Sequence, residues 1–278
     1  CMSRLGSELG TAYLFDVVTG KPLPDTVPRV NGPTAGGGLA WNADNSGFYY
    51  TRYPHKGERA QSDLAFYQQV YFHKVGTSFA QDTYALGKDF PRIAEIELEA
   101  SKDGRYVVAT VSNGDGGEYA HYLAGTDGNW AQLTQFSDRI TKASFGLDDA
   151  LYLVSLKDAP KGKILRMPLG GRPELSNTTV FVGQGEGVIT GFVSSAQKMY
   201  VTEMLGGPSR IRVFGMNGTE EQPVPTEKVV SVGGLLWTEG DNILFSQGSY
   251  LAPGAYFQYS PTDSKVTATA LRRKTTAD

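Results

Sequence analysis

Leu39-Ala40-Trp41, then Asn42-Ala43-Asp44-Asn45-Ser46-Gly47, then Phe48-Tyr49-Tyr50 read as an apolar strand, a polar turn and a second apolar strand. Residues 68–74, with Val70, Tyr71 and Phe72 at their centre, follow as the start of an outer hairpin. The same inner pair recurs from Leu98-Glu99-Ala100 to Tyr106-Val107-Val108 and from Ala143-Ser144-Phe145 to Leu151-Tyr152-Leu153. It recurs again from Gly191-Phe192-Val193 to Met199-Tyr200-Val201, and from Gly234-Leu235-Leu236-Trp237 to Ile243-Leu244-Phe245. Outer hairpins begin at residues 11–18, 68–74, 118–123, 163–169, 209–216 and 255–260, each followed by a fourth short strand. Inner strands start roughly 45 to 60 residues apart, the spacing of four-stranded propeller blades. The first outer hairpin has no inner pair before it, so the pattern predicts an incomplete, all-β propeller of about five and a half blades.

The turns sit where tight hairpins need residues that tolerate positive φ: Asn45-Ser46-Gly47, Asp103-Gly104 and Glu239-Gly240-Asp241. A β-sandwich also uses short strands and polar turns, but it does not naturally alternate inner and outer pairs. The best helical stretch, residues 58–71, supports one or two turns at most.

Composition bounds the function. A chain of 278 residues with 34 glycines and 11% aromatics can bury a large core, and no linker composition divides it, so residues 1–278 read as one propeller domain. A net charge of −3 without a Lys/Arg stripe argues against nucleic acid as a partner. No apolar run reaches the ~18 residues of a membrane span. The single cysteine, Cys1, rules out an internal disulfide and suits a reducing, cytoplasmic compartment, with periplasmic or secreted alternatives open. A lipidated Cys1 is disfavoured, because residues 3–10 read as a strand entering the first hairpin. Asn177-Thr178-Thr179 and Asn217-Gly218-Thr219 match the glycosylation sequon but lie in turns, where these residue types are expected anyway.

Catalytic motifs are missing from the chain. It contains no Gly-x-Ser-x-Gly elbow, no His-Glu-x-x-His, no phosphate-binding glycine loop and no cysteine cluster. His55, His73 and His121 lack metal-ligand spacing, and His73 and His121 are expected to be partly exposed structural residues on outer strands. No cofactor or metal is implied. Glu95, Glu97, Glu99, Asp103, Asp115 and Glu118 cluster in one blade. Paired carboxylates can hydrolyse glycosides, but a period-two row of like charges reads more simply as a solvated or channel-facing strand face.

Several segments, in order, resemble the propeller domain of prolyl oligopeptidases. They are Leu23-Pro24-Asp25 with Arg29-Val30, the stretch from Leu39 through Tyr50, Val70-Tyr71-Phe72-His73-Lys74-Val75-Gly76-Thr77, Glu99-Ala100-Ser101-Lys102-Asp103-Gly104-Arg105-Tyr106-Val107, and Ser249-Tyr250-Leu251-Ala252-Pro253-Gly254. The likeness covers most of the chain and is weaker between residues 155 and 230. It implies a seven-bladed propeller inserted into a serine peptidase, whose α/β-hydrolase domain supplies the Ser, Asp and His triad after the propeller. By the resemblance this chain has no catalytic residues of its own. The hydrolase domain of the same full-length protein is its partner, and short peptides cleaved after proline are the substrates that the propeller filters and gates.

The resemblance also implies site residues. The connection over residues 54–67, with His55, Lys56, Arg59, Phe66 and Tyr67, falls where relatives have a mobile gating loop; an ordinary exposed blade loop has the same composition. Glu95 and Asp115 fall where animal relatives line an apolar pocket for the residue two before the substrate proline, so acidic residues here imply a preference for a basic side chain. Asn31-Gly32-Pro33-Thr34-Ala35-Gly36-Gly37-Gly38 replaces a segment that carries an aromatic wall of that pocket, and reads as a conformational connection. A propeller short of a blade and a half exposes apolar faces and an edge strand, and is expected to self-associate or to close with altered blade packing. A stand-alone interaction scaffold, or the propeller of an oligopeptidase with another specificity, are the competing readings.

Overall fold

The computed structural model describes residues 1–2, 8–32 and 36–272. Most of the strand expected over residues 3–10, and Pro33, Thr34 and Ala35 of the glycine-rich segment, lie outside them. Contacts group into two compact units, Cys1–Ala143 and Ser144–Asp278.

The first unit contains a two-stranded sheet, β1 (Gly10–Phe15) and β2 (Pro22–Asn31). Two four-stranded antiparallel blades follow. One comprises β3 (Leu39–Trp41), β4 (Gly47–Arg52), β5 (Gln69–Lys74) and β6 (Thr83–Leu86); the other comprises β7 (Ala94–Ala100), β8 (Val107–Asn113), β9 (Tyr119–Ala124) and β10 (Trp130–Thr134). Strand β11 (Ile140–Phe145) runs across the unit boundary and pairs in sequence with β12 (Ala150–Ser155), β13 (Lys163–Pro168) and β14 (Thr179–Val182). The second unit continues with β15 (Val188–Ser194), β16 (Lys198–Met204), β17 (Ser209–Gly215) and β18 (Glu220–Glu221). Its last blade is β19 (Ser231–Trp237), β20 (Ile243–Gly248), β21 (Ala255–Ser260) and β22 (Lys265–Arg272). Among the described residues, five four-stranded sheets and one two-stranded sheet agree with the roughly five and a half blades that the hairpin pattern predicts.

Strand side chains alternate sides, so a strand whose two sides both meet a neighbouring sheet is apolar on both. On β16, Met199 and Val201 pack with Tyr152 and Val154 of β12, whereas the intervening Tyr200 packs with Ile243 and Phe245 of β20. In the first unit, Ala12, Leu14, Val27 and Val30 of the two-stranded sheet meet Phe48 and Tyr50 of β4. Val70 of β5 meets Ile96 and Val111 of the next blade. Burying a large apolar side chain of this kind contributes roughly 1.5–3 kcal/mol.

Turn chemistry agrees with the sequence. Asn45 adopts φ 56°, and Gly104 has φ 68° in the β7–β8 hairpin. A Cβ on Gly104 would lie 2.5 Å from the Ala43 Cα in the preceding blade's turn, so glycine is required by contact as well as by backbone angle. The helical stretch expected over residues 58–71 is a single 3-10 turn at Gln61–Asp63, and the residues after it enter β5.

Candidate functional site

Three groups of polar side chains stand out in the first unit, and each is built by a different part of the sequence. The connection over residues 54–67 joins β4 to β5 and is held at several points. The Glu58 carboxylate accepts from Arg52 Nη2 at 3.0 Å and from the His55 backbone N–H at 2.7 Å. Arg59 lays its guanidinium 3.6 Å from the centre of the Tyr67 ring, and Arg92 does the same over Phe66 while pairing with Asp63 at 2.9 Å. His55 stacks on Phe79 with ring centres 5.8 Å apart. Lys56 and Arg59 form a short parallel bridge. Arg29, at the end of β2, donates from Nη2 to the Leu64 carbonyl. The residues expected to gate are therefore brought together, with a dense set of arginine contacts along the connection.

A pocket of about 210 Å³ opens beside this connection, lined by Arg52, Pro54, Glu58, Arg59, Gln69 and Tyr71. Burial, together with the repulsion of Arg52, pushes the Arg29 guanidinium down, against the opposing pull of Glu58. His55 is also held down, by burial first and then by Arg52. Arg29 and Tyr67 adopt left-handed backbone, φ 62° and 57°, a conformation that side chains of this size rarely take.

The second group is acidic. Glu95, on β7, and Asp115, in the 3-10 turn Gly114–Gly116 after β8, lie at the same end of one hairpin, where Glu95 is paired with Ser112 in the ladder. Burial raises the Glu95 carboxyl, and the charges of Asp115 and Glu97 raise it further, so the structure brings the two predicted pocket acids within electrostatic reach. In the glycine-rich segment before β3, a Cβ on Gly37 would sit 2.2 Å from the Val30 carbonyl, which accounts for that glycine by close backbone approach.

The third group corrects the sequence reading. His73 and His121 are wholly buried, not partly exposed. His73 is covered because the two-stranded sheet packs over its blade: its Nε2 faces Asp25 Oδ1 at 3.1 Å, and its Nδ1 faces Asp82 Oδ1 at 2.7 Å. Both carboxylates are themselves buried, Asp82 accepts from Tyr50 Oη at 2.8 Å, and Asp25 accepts from the Gly76 backbone. His121 instead meets only the Thr134 hydroxyl, at 2.7 Å from Nδ1. The same hydroxyl oxygen accepts from the His121 backbone N–H at 3.0 Å. The ring Nε2 is buried without a partner among the described residues, and burial pushes the imidazole down to about 4. Among the described residues no group of three or more His, Cys, Asp or Glu side chains is placed to hold a metal. Sequence reasoning missed the Asp25–His73–Asp82 link and the role of Arg29 and Arg52. Asp25 and His73 are separated by 48 residues, and no local pattern announces their meeting.

Comparison with known proteins places this geometry. The model of the prolyl oligopeptidase N-terminal beta-propeller domain matches residues 1–272. The chain belongs to this family. It is 26% identical over 268 residues to a prolyl endopeptidase of Elizabethkingia meningoseptica, covering 94% of this chain and 36% of that protein. It is 24% identical over 273 residues to the prolyl endopeptidase of Elizabethkingia miricola, covering 95% and 37%. The chain thus spans little more than a third of the length of these curated relatives. A solved structure from a mechanistic study of two prolyl endopeptidases superimposes with a TM-score of 0.83 at 17% identity, over 96% of this chain and 39% of that one. Apo prolyl oligopeptidase B from Galerina marginata gives a TM-score of 0.77 at 15% identity, over 99% and 40%. At these identities the superpositions establish a shared fold. The propeller expected from the quoted segments is thereby confirmed across its full extent, including residues 155–230, where the sequence likeness is weak.

Proposed function

We propose that this propeller, a single domain over residues 1–278, filters and gates substrates for a serine-type prolyl endopeptidase. Its partner is the α/β-hydrolase domain of the same full-length protein, and its substrates are short peptides cleaved after proline. The observation that supports this is the family match over residues 1–272, in a chain that contains no nucleophile elbow of its own. The propeller's contribution to catalysis is exclusion: covering the site keeps out folded proteins and water, and closure strengthens the electrostatics inside.

The acidic pair gives this reading its specificity. Glu95 and Asp115 repel one another in a partly desolvated place, and a cationic side chain two residues before the proline would relieve that repulsion. The connection over residues 54–67, with His55, Lys56, Arg59, Phe66 and Tyr67, is the gate on this proposal. Its ring-stacked arginines are the contacts that opening has to break.

The test is hydrolysis of a short chromogenic proline peptide by the isolated chain and by the chain joined to its hydrolase domain. The isolated chain should show no turnover. The joined protein should cleave the short peptide, favour lysine over leucine two residues before proline, and spare a folded protein. Turnover by the isolated chain that serine-directed reagents abolish would overturn the assignment, as would a joined protein without peptidase activity. The isolated chain is further expected to self-associate in sedimentation experiments, and a monodisperse monomer with a sharp melt would count against that part.

A further inference from the structure

The pocket beside residues 54–67 has an excess of positive charge in its wall. Arg52 and Arg59 line it, and Arg29 lies under the same connection within electrostatic reach of both Arg52 and Glu58. Against these three cations the pocket wall offers one carboxylate, Glu58, which is also engaged with the His55 backbone N–H.

The donors are used incompletely. Arg52 spends a single nitrogen, Nη2, on Glu58 and on the Tyr71 hydroxyl, at 3.0 and 2.8 Å, while its Nε is buried without an acceptor. Arg29 likewise uses Nη2 on a backbone carbonyl and leaves a buried Nε without one. Arg59 rests on the face of Tyr67. A guanidinium ordinarily presents a planar fork of donors that matches a carboxylate with two parallel bonds. Buried donors without acceptors are rare and costly, so the guanidinium orientations here are held at an expense that calls for a reason. Arg29 and Tyr67 are also non-glycine residues near this pocket whose backbone is held in the left-handed region, a strain that collects at ligand clamps. The pocket volume of about 210 Å³ exceeds that of several waters at about 30 Å³ each, room for a carboxylate-bearing group.

We propose that this pocket is a carboxylate-binding site, in which Arg52 and Arg59 grasp an incoming carboxylate, Arg29 supplies long-range attraction, and Glu58 is the internal anion that the ligand competes with. The ligand chemistry is that of a peptide, either its C-terminal carboxylate or an acidic side chain. The site does not depend on peptide cleavage, so it can fail without touching the peptidase reading, and the reverse holds too.

The experiment is a titration of the purified chain followed through the arginine Nε–H resonances in nuclear magnetic resonance. N-acetyl-Gly-Gly carries the terminal carboxylate, N-acetyl-glutamate with a blocked C-terminus carries the side-chain carboxylate, and N-acetyl-Gly-Gly-amide carries neither. At least one acid should saturate and shift the Arg52 signal while the amide does not, and the tighter of the two acids identifies the source. Arg59→Ala, on an exposed side chain, should weaken that acid about tenfold, the worth of a charge-assisted hydrogen bond. Glu58→Gln should tighten it, because the competing anion is gone. The proposal is overturned if neither acid binds, if the amide binds equally, or if Glu58→Gln weakens binding while Arg59→Ala leaves it unchanged.

Discussion

His73 and His121 are both sealed from solvent and both lie on the third strand of a four-stranded blade, yet one is surrounded by charge and the other by almost none. His73 bridges two buried carboxylates that arrive from different directions, Asp25 from the two-stranded sheet and Asp82 from the loop after its own strand. His121 shares one hydroxyl, and burial is what shifts its titration. Depth of burial is therefore the same and the physical role is opposite: His73 holds two sheets together, while His121 is a neutral core residue that resists protonation.

The largest effect expected is on the charged side of this comparison. His73→Ala removes the group between two buried carboxylates and should cost about 4 kcal/mol of unfolding free energy, the range for breaking one partner out of a buried ion pair. Urea denaturation measures it; a loss below about 1 kcal/mol would show that water already reaches Asp25 and Asp82 and would break the comparison.

Next comes the pH response of the neutral side. Because the folded state holds His121 down to about 4 against an ordinary 6.5, the unfolded chain binds more protons between those values. His121 thus contributes stability that is complete above pH 6.5 and is lost as pH falls toward 4, in total about 3 kcal/mol. The difference between the native chain and His121→Leu, followed by urea titrations across that window, should carry this slope, and parallel curves would refute it. Asp103 responds in a separate, lower window: burial opposes its ionisation, but hydrogen bonds from Arg105 and Ser101 outweigh it and hold the carboxyl near 2, so its contribution disappears only as pH falls from about 4 toward 2.

A smaller effect sharpens the contrast further. Thr134→Val strips the hydroxyl from both the His121 ring and its backbone N–H, and should cost about 2 kcal/mol through two unsatisfied groups. The smallest is at the surface, where like charges meet without a histidine between them. Asp115→Asn should lower the titration midpoint of Glu95, seen in carboxyl carbon shifts, because a repelling neighbour is removed. An unchanged midpoint would mean that burial and Glu97, without Asp115, hold Glu95 up.

Strands such as β16 were legible because neighbouring sheets cover both of their sides, which imposes a run of apolar residues bounded by turn formers. Residues such as Met199, Tyr200 and Val201 are apolar in succession for that reason. Strand ends were less legible: Tyr106 reads as part of the inner pair, but β8 begins at Val107, and Tyr106 stays in the bend where Ser101 Oγ accepts its backbone N–H. Glu95 and Asp115 could be associated from sequence because a single hairpin carries them. The arginine pocket and the His73 bridge could not, since Arg29 meets Leu64 across 35 residues and Asp25 meets Gly76 across 51. Such pairings are decided by which sheets stack, and periodicity within a strand carries no record of it.

The Asp25–His73 contact also bears on the order in which the chain assembles. Asp25 has to lose its water to enter the interface, and that is tolerable only after β4, β5 and the Asp82 loop have formed the receptor for it, since an unmatched buried carboxylate is strongly disfavoured. Contacts between residues so distant in sequence are slow to form. The two-stranded sheet is consequently expected to dock after its blade has formed, with the histidine as the partner that makes burial of Asp25 tolerable.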